Sequence, residues 1–207
     1  MRRLISAIIL VSALLPAGLQ ARETEHLKHE LGIWLGGSFP FPSTPYDDVL
    51  DSNVGGGMFY RISWPWIFYT EFGFSYTTYF SETTQLLVSA PVYGALVYPL
   101  PLPFRLQVMA KLGAGASYLE VRPQNRNGWD PMIYGGLEMS LLASRRFRVG
   151  LRLDADYIID SHRQPPLEAQ LGYFYPGTSN ARYMQNRTYE LRDGGFYHFG
   201  LMVSFIL

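Results

Sequence analysis

Cysteine is absent from all 207 residues. Its absence excludes a disulfide framework, a thiolate zinc site and a lipid-modified N-terminal cysteine. Charge is sparse as well, at 16% of the residues, with 17 basic against 17 acidic. A net charge of zero leaves no electrostatic footprint for nucleic acid or for an acidic substrate. The four histidines, His26, His29, His162 and His198, have no ligand-spaced partners, so neither a metal centre nor a cofactor is expected. Beyond the first twenty residues no apolar run reaches the 18 residues of a spanning helix. What is plentiful is apolar surface. Aromatic residues make up 15% of the chain and hydrophobic residues 48%, too much for disorder and enough for one domain.

The chain begins Met1-Arg2-Arg3, continues with an apolar run from Leu4 to Leu15, and leaves it through Pro16-Ala17-Gly18-Leu19-Gln20-Ala21. A basic start, a short apolar centre and a small-residue exit form a secretory signal peptide. Cleavage is expected after Ala21. That gives a signal peptide, 1–21, and one exported domain, 22–207.

In the exported part the hydrophobic period is two. Phe104, Leu106, Val108, Ala110, Leu112, Ala114 and Ala116 share one parity; Arg105, Gln107, Lys111, Gly113, Gly115 and Ser117 share the other. Phe147, Val149, Leu151, Leu153, Ala155 and Tyr157 alternate in the same way with Arg148, Gly150, Arg152, Asp154 and Asp156. Alternation at this period means strand with one apolar face. Eight strands follow, at 29–38, 53–62, 67–80, 85–98, 104–121, 132–143, 147–160 and 195–207. Their lengths suit a bilayer, which takes roughly 9–11 tilted residues to cross. Short connectors at 63–66, 99–103 and 144–146 alternate with longer ones at 39–52, 122–131 and 161–194, the brief 81–84 excepted. Such alternation is the rhythm of an all-β, eight-stranded, antiparallel up-and-down transmembrane barrel with short inner turns and longer outer loops. An even strand number puts both termini on the periplasmic side.

A soluble barrel alternates too, with its apolar side inward. Here the polar parity mixes Gly, Ser and Thr with isolated charges of both signs: Arg61, Glu71, Arg105, Lys111, Glu138, Arg148, Arg152, Asp154 and Asp156. That set suits a self-neutralising lumen, since an unpaired buried charge loses its hydration without compensation. The apolar parity ends in large aromatics, among them Phe68, Phe80, Tyr98, Phe104, Tyr118 and Tyr157, as girdles at two membrane interfaces would.

The last segment sets Tyr197, Phe199, Leu201, Val203, Phe205 and Leu207 on one face. This resembles the C-terminal targeting strand of bacterial outer-membrane proteins, and the exported chain as a whole resembles a small OmpA/OmpX-type barrel. The final Leu207 departs from the aromatic residue usual there. The resemblance implies a bacterial outer-membrane location and recognition of those six residues by the outer-membrane assembly machinery. It also implies contact with outer-membrane lipid and lipopolysaccharide. No peptidoglycan-binding domain is expected after the barrel.

Register arithmetic extends the reading inward. If Ala143 lies opposite Phe147, Glu138 lies opposite Arg152. If Phe39 lies near Ser52, the lumen-facing Trp34 meets Gly57, where Gly55-Gly56-Gly57 leaves room for an indole. Asp160-Ser161-His162 stands at the exit of the seventh strand, where lipid A acylases and deacylases of the outer membrane place a serine and a histidine. Neighbours on a strand point to opposite faces, so the triplet is expected as solvated loop. Residues 167–175 alternate as well, which would allow ten strands; the next strand would then aim Gln185 and Arg187 at lipid, a costly placement. The expected function is a non-enzymatic barrel with a plugged, charge-paired lumen. Its loops 39–52, 122–131 and 161–194 would meet lipopolysaccharide or an extracellular protein partner. A lipid A-modifying enzyme and a narrow ion channel are the alternatives.

Overall fold

A computed structural model describes residues 29–44, 46–47, 50–64, 68–81, 86–100, 106–122, 126–159, 167–168, 188–189 and 193–207. The barrel strands are β1 (His29–Pro40), β2 (Asn53–Ser63), β3 (Tyr69–Phe80), β4 (Leu86–Leu100), β5 (Leu106–Arg122), β6 (Arg126–Leu142), β7 (Phe147–Ile158) and β10 (Gly194–Ile206). They close into one antiparallel barrel in which β1 pairs with β10 as well as with β2. Closure satisfies both edges of the sheet, the condition for β-structure in hydrocarbon. Two short pieces, β8 (Leu167–Glu168) and β9 (Thr188–Tyr189), pair only with each other. The barrel therefore has eight strands, and the ten-stranded alternative is set aside. The signal segment 1–21 lies outside the described residues.

The registers follow the arithmetic of the sequence. Glu138 is the backbone partner of Arg152, and Trp34 that of Gly57. Gly57 has a physical reason to be glycine. A Cβ there would stand 2.7 Å from Trp34 Nε1 and 2.3 Å from the Phe74 carbonyl oxygen. One loop is corrected. Instead of a connector at 122–131, β5 runs to Arg122 and β6 starts at Arg126, so the ladder continues through Tyr118↔Trp129 to Val121↔Arg126. Turn-forming residues here, Asn127, Gly128, Asp130 and Pro131, hide the alternation in the sequence without preventing the pairing.

The outer wall is apolar all round. Leu31, Ile33 and Leu35 on β1, Phe72 and Phe74 on β3, and Leu201 on β10 are exposed, as are Leu112 on β5 and Leu137 on β6. A water-soluble surface does not carry a continuous belt of this kind. Among the described strand residues the outward charges are Glu120 and Arg122, which hydrogen-bond each other just beyond the Tyr118–Trp129 ring pair. Aromatics mark both rims: Phe68 against Tyr98 at the short-turn end, Phe39 and Phe41 against Tyr197 at the loop end.

Candidate functional site

The lumen has two chemically distinct halves. In the half nearer the short turns, Arg61 Nη2 lies 2.6 Å from both Glu71 Oε2 and Glu138 Oε2, and its Nη1 lies 3.0 Å from Glu30 Oε2. Lys111 Nζ adds 2.7 Å to Glu138 and 3.3 Å to Glu71. Arg152 Nη2 donates to Glu71 Oε1 at 2.9 Å, while its Nε pairs with Asp154. Arg148 Nη1 reaches Glu30 at 3.1 Å. Four carboxylates thus meet four cations, and the cluster neutralises itself. Such closure is what makes buried ions tolerable.

Neutral side chains complete this charge lock. Tyr93 donates to Glu71 at 3.0 Å, Tyr134 donates to Asp154 at 2.7 Å, and the two phenol rings stack at 3.9 Å. The guanidiniums of Arg61 and Arg152 each lie 4.9 Å from the centre of the buried Phe59 ring, a favourable place for a desolvated cation. Within the lock only Nη1 of Arg152 has no hydrogen-bond partner among the described residues. Ser204 donates to Glu30, so each of the eight barrel strands contributes a member.

Of the inward charges expected from the sequence, Arg61, Glu71, Lys111, Glu138, Arg148, Arg152 and Asp154 meet here. Asp156 stands apart from the lock and pairs with His198; Arg105 lies outside the described residues. The expected face-to-face pair is regrouped. Glu138 and Arg152 are backbone partners, yet Glu138 engages Arg61 and Lys111 while Arg152 engages Glu71 and Asp154. Long side chains in a narrow bore reach across it rather than along the ladder. Glu30, Tyr93 and Tyr134 are members that the sequence reading did not single out. The parity that Glu30 shares with Trp34 was the available signal.

Nearer the loops large apolar and aromatic side chains dominate the bore, with buried polar residues such as Ser117 and Asp130 among them. Tyr79, Leu87, Leu119, Val121, Met132, Ile158 and Phe196 are buried, and Tyr46 and Leu50 from the β1–β2 loop fold in over them. Tyr46 meets Phe196 edge-on at 5.2 Å, and Tyr79 stacks on Phe196 at 4.1 Å. Between the halves runs a polar chain. His198 Nε2 lies 3.2 Å from Asp156 Oδ2, its Nδ1 lies 2.7 Å from Ser38 Oγ, and Ser38 also bonds Tyr79.

Serine, histidine and aspartate in series are the parts of a hydrolase relay, so access and geometry matter. The serine meets Nδ1 and the aspartate Nε2, the reverse of the usual order. Ser38 is 0% exposed beneath the aromatic plug, leaving no place for a substrate carbonyl. The chain ties β1, β3, β7 and β10 together. Asp160, Ser161 and His162 lie outside the described residues. Of the six residues expected to carry the assembly signal, Tyr197, Phe199, Leu201, Val203 and Phe205 lie on the outward parity of the last strand, and the exposed Leu207 follows it directly.

Solved structures share this architecture. Neisserial surface protein A (NspA) superposes with a TM-score of 0.57 at 5% identity, covering 87% of this chain and 99% of that one. The outer membrane protein OprG from Pseudomonas aeruginosa gives 0.50 at 11% identity, covering 89% and 99%. The fold is that of the small outer-membrane barrels. No protein-family model matches the chain, and no curated protein sequence does. At such identities what is shared is the fold alone, the closed eight-stranded barrel. The residues that fill the lumen have to be argued from their own geometry.

Proposed function

We propose that residues 1–21 direct export and that the mature chain, 22–207, is a non-enzymatic barrel of the bacterial outer membrane. Its short turns and both termini face the periplasm. The lumen is a structural plug. The assembly machinery reads the outward face of β10, and the loop end meets lipopolysaccharide or an extracellular protein partner. The observation that carries this reading is the double obstruction of the bore, by a self-neutral ionic lock in one half and an aromatic plug in the other. An ion would have to part Arg61 from three carboxylates and then pass the packed aromatic side chains of the plug.

The test is conductance together with location. The mature protein should fractionate with outer membranes, need detergent for extraction, and show little conductance in planar bilayers. Stable, ion-selective conductance of the wild type would promote the channel reading. Recovery as a monodisperse periplasmic protein without detergent would sink the membrane reading altogether.

A further inference from the structure

Two cavities meet at the β6–β7 turn. One, of about 440 Å³, opens at the short-turn mouth of the bore, lined by Glu30, Arg61, Arg145, Arg146 and Arg148 among others. The second, of about 850 Å³, is a groove in the outer wall between Leu106, Met139, Leu141, Val149, Leu151 and Leu201. Leu142 lines both. An apolar trough facing lipid therefore runs into a cationic vestibule just past the membrane rim, which Phe147 and its backbone partner Phe205 mark.

The four arginines of the vestibule are not equivalent. Arg61 and Arg148 are already held by carboxylates. Arg145 and Arg146 are exposed and, among the described residues, carry no ion pair. They sit on the tight turn that the Ala143 and Ser144 amides close onto the Phe147 carbonyl. Two guanidiniums with no ion pair among the described residues, next to the Phe147 rim and above an apolar trough, make an amphipathic site. We propose that this site binds one anionic phospholipid of the periplasmic leaflet, its phosphate between Arg145 and Arg146 and an acyl chain in the groove.

The division of labour follows from the solvent. An acyl chain loses little by leaving other lipid for the groove, because both surroundings are apolar. It fills space that would otherwise forfeit dispersion contacts and fixes where the headgroup stands. Selectivity comes from the guanidiniums, whose planar forks match phosphate oxygens. A net negative headgroup is favoured because Glu30 is already engaged by Arg61 and Arg148, leaving the turn electropositive.

This inference rests on the proposed orientation, and the experiment keeps the two apart. The folded, full mature barrel in detergent would be titrated with phosphatidylglycerol and with phosphatidylcholine, and bound lipid counted by native mass spectrometry. Phosphatidylglycerol should be retained in preference. The double change Arg145→Gln with Arg146→Gln should weaken its binding by about thirtyfold, the effect of two basic side chains at an anionic surface. Val149→Trp, at an outward position in the groove, should reduce retention of both lipids. Equal retention of the two lipids, unmoved by either variant, would mean ordinary boundary lipid and overturn the site. Glycerol 3-phosphate binding as tightly as the intact lipid would give the arginines to a soluble anion and overturn the groove's part. Orientation is read separately, by labelling Ser144→Cys in whole cells with an impermeant maleimide. Labelling before the outer membrane is opened would refute the periplasmic placement whatever the lipid titration gave.

Discussion

The two halves of the lumen close the same bore by opposite means. Near the short turns, charges from all around the barrel are packed against one another with almost nothing exposed: Arg61 and Glu71 are both at 0%. Near the loops, Tyr46, Leu87, Phe196 and their neighbours fill the space with apolar and aromatic side chains, and the buried carboxylates Asp130 and Asp156 stand outside the ionic cluster. The contrast teaches how error is tolerated. An apolar plug degrades gradually, because each lost side chain leaves a cavity of its own size. An ionic cluster does not, because removing one member leaves its partners charged and dry.

The largest expected effect is therefore Glu71→Ala. It strips a carboxylate from Arg61, Lys111 and Arg152 together, for a loss on the order of 3–5 kcal/mol. Urea titration of the folded barrel, read by its heat-modifiable band on gels, checks it; a near-neutral result would mean that water reaches the cluster. Next comes Leu87→Ala in the plug, where a cavity should cost about 2–3 kcal/mol, with conductance still absent because the ionic half remains intact. Appearance of a pore in that variant would show that the plug alone seals the barrel. The smallest effect is also the most discriminating. Glu138→Ala combined with Lys111→Ala should show a coupling of about 1–2 kcal/mol in a double-mutant cycle, against a smaller value for Glu138→Ala with Arg152→Ala. Equal couplings would mean that ladder position, rather than contact across the bore, decides the pairing.

Much of this architecture is legible in the sequence, for a definable reason. A strand wall between lipid and a packed lumen imposes period two on every residue, and fixed parity turns register into arithmetic. Trp34 opposite Gly57 and Glu138 opposite Arg152 both follow. Strand ends match as well, except the start of β6, where Asn127, Gly128, Asp130 and Pro131 read as a turn although Trp129 faces out and Asp130 in. Partner choice inside the bore is not legible. Parity says which side chains point inward, but not which of several reachable carboxylates an arginine takes. The inward fold of Tyr46 and Leu50 is hidden too, because a loop without a period carries no sign of which apolar residues it buries.

That every strand gives one member to the lock has a bearing on how the molecule comes into being. Glu30 and Ser204, or Ser38 and His198, stand 174 and 160 positions apart along the chain and touch only when β1 meets β10. A partly assembled sheet still presents its polar face to water, so its charges remain hydrated and cost nothing. Dehydration and pairing must then arrive together, in the single event that zips the seam. High sequence separation makes that event slow to reach, and the cluster makes it hard to reverse once reached. Leaving the membrane wall would require the seam to reopen, parting Arg148 from Glu30 and the ion pairs that reach across the bore. The barrel's persistence would then be governed by the rate of that opening more than by the equilibrium it serves.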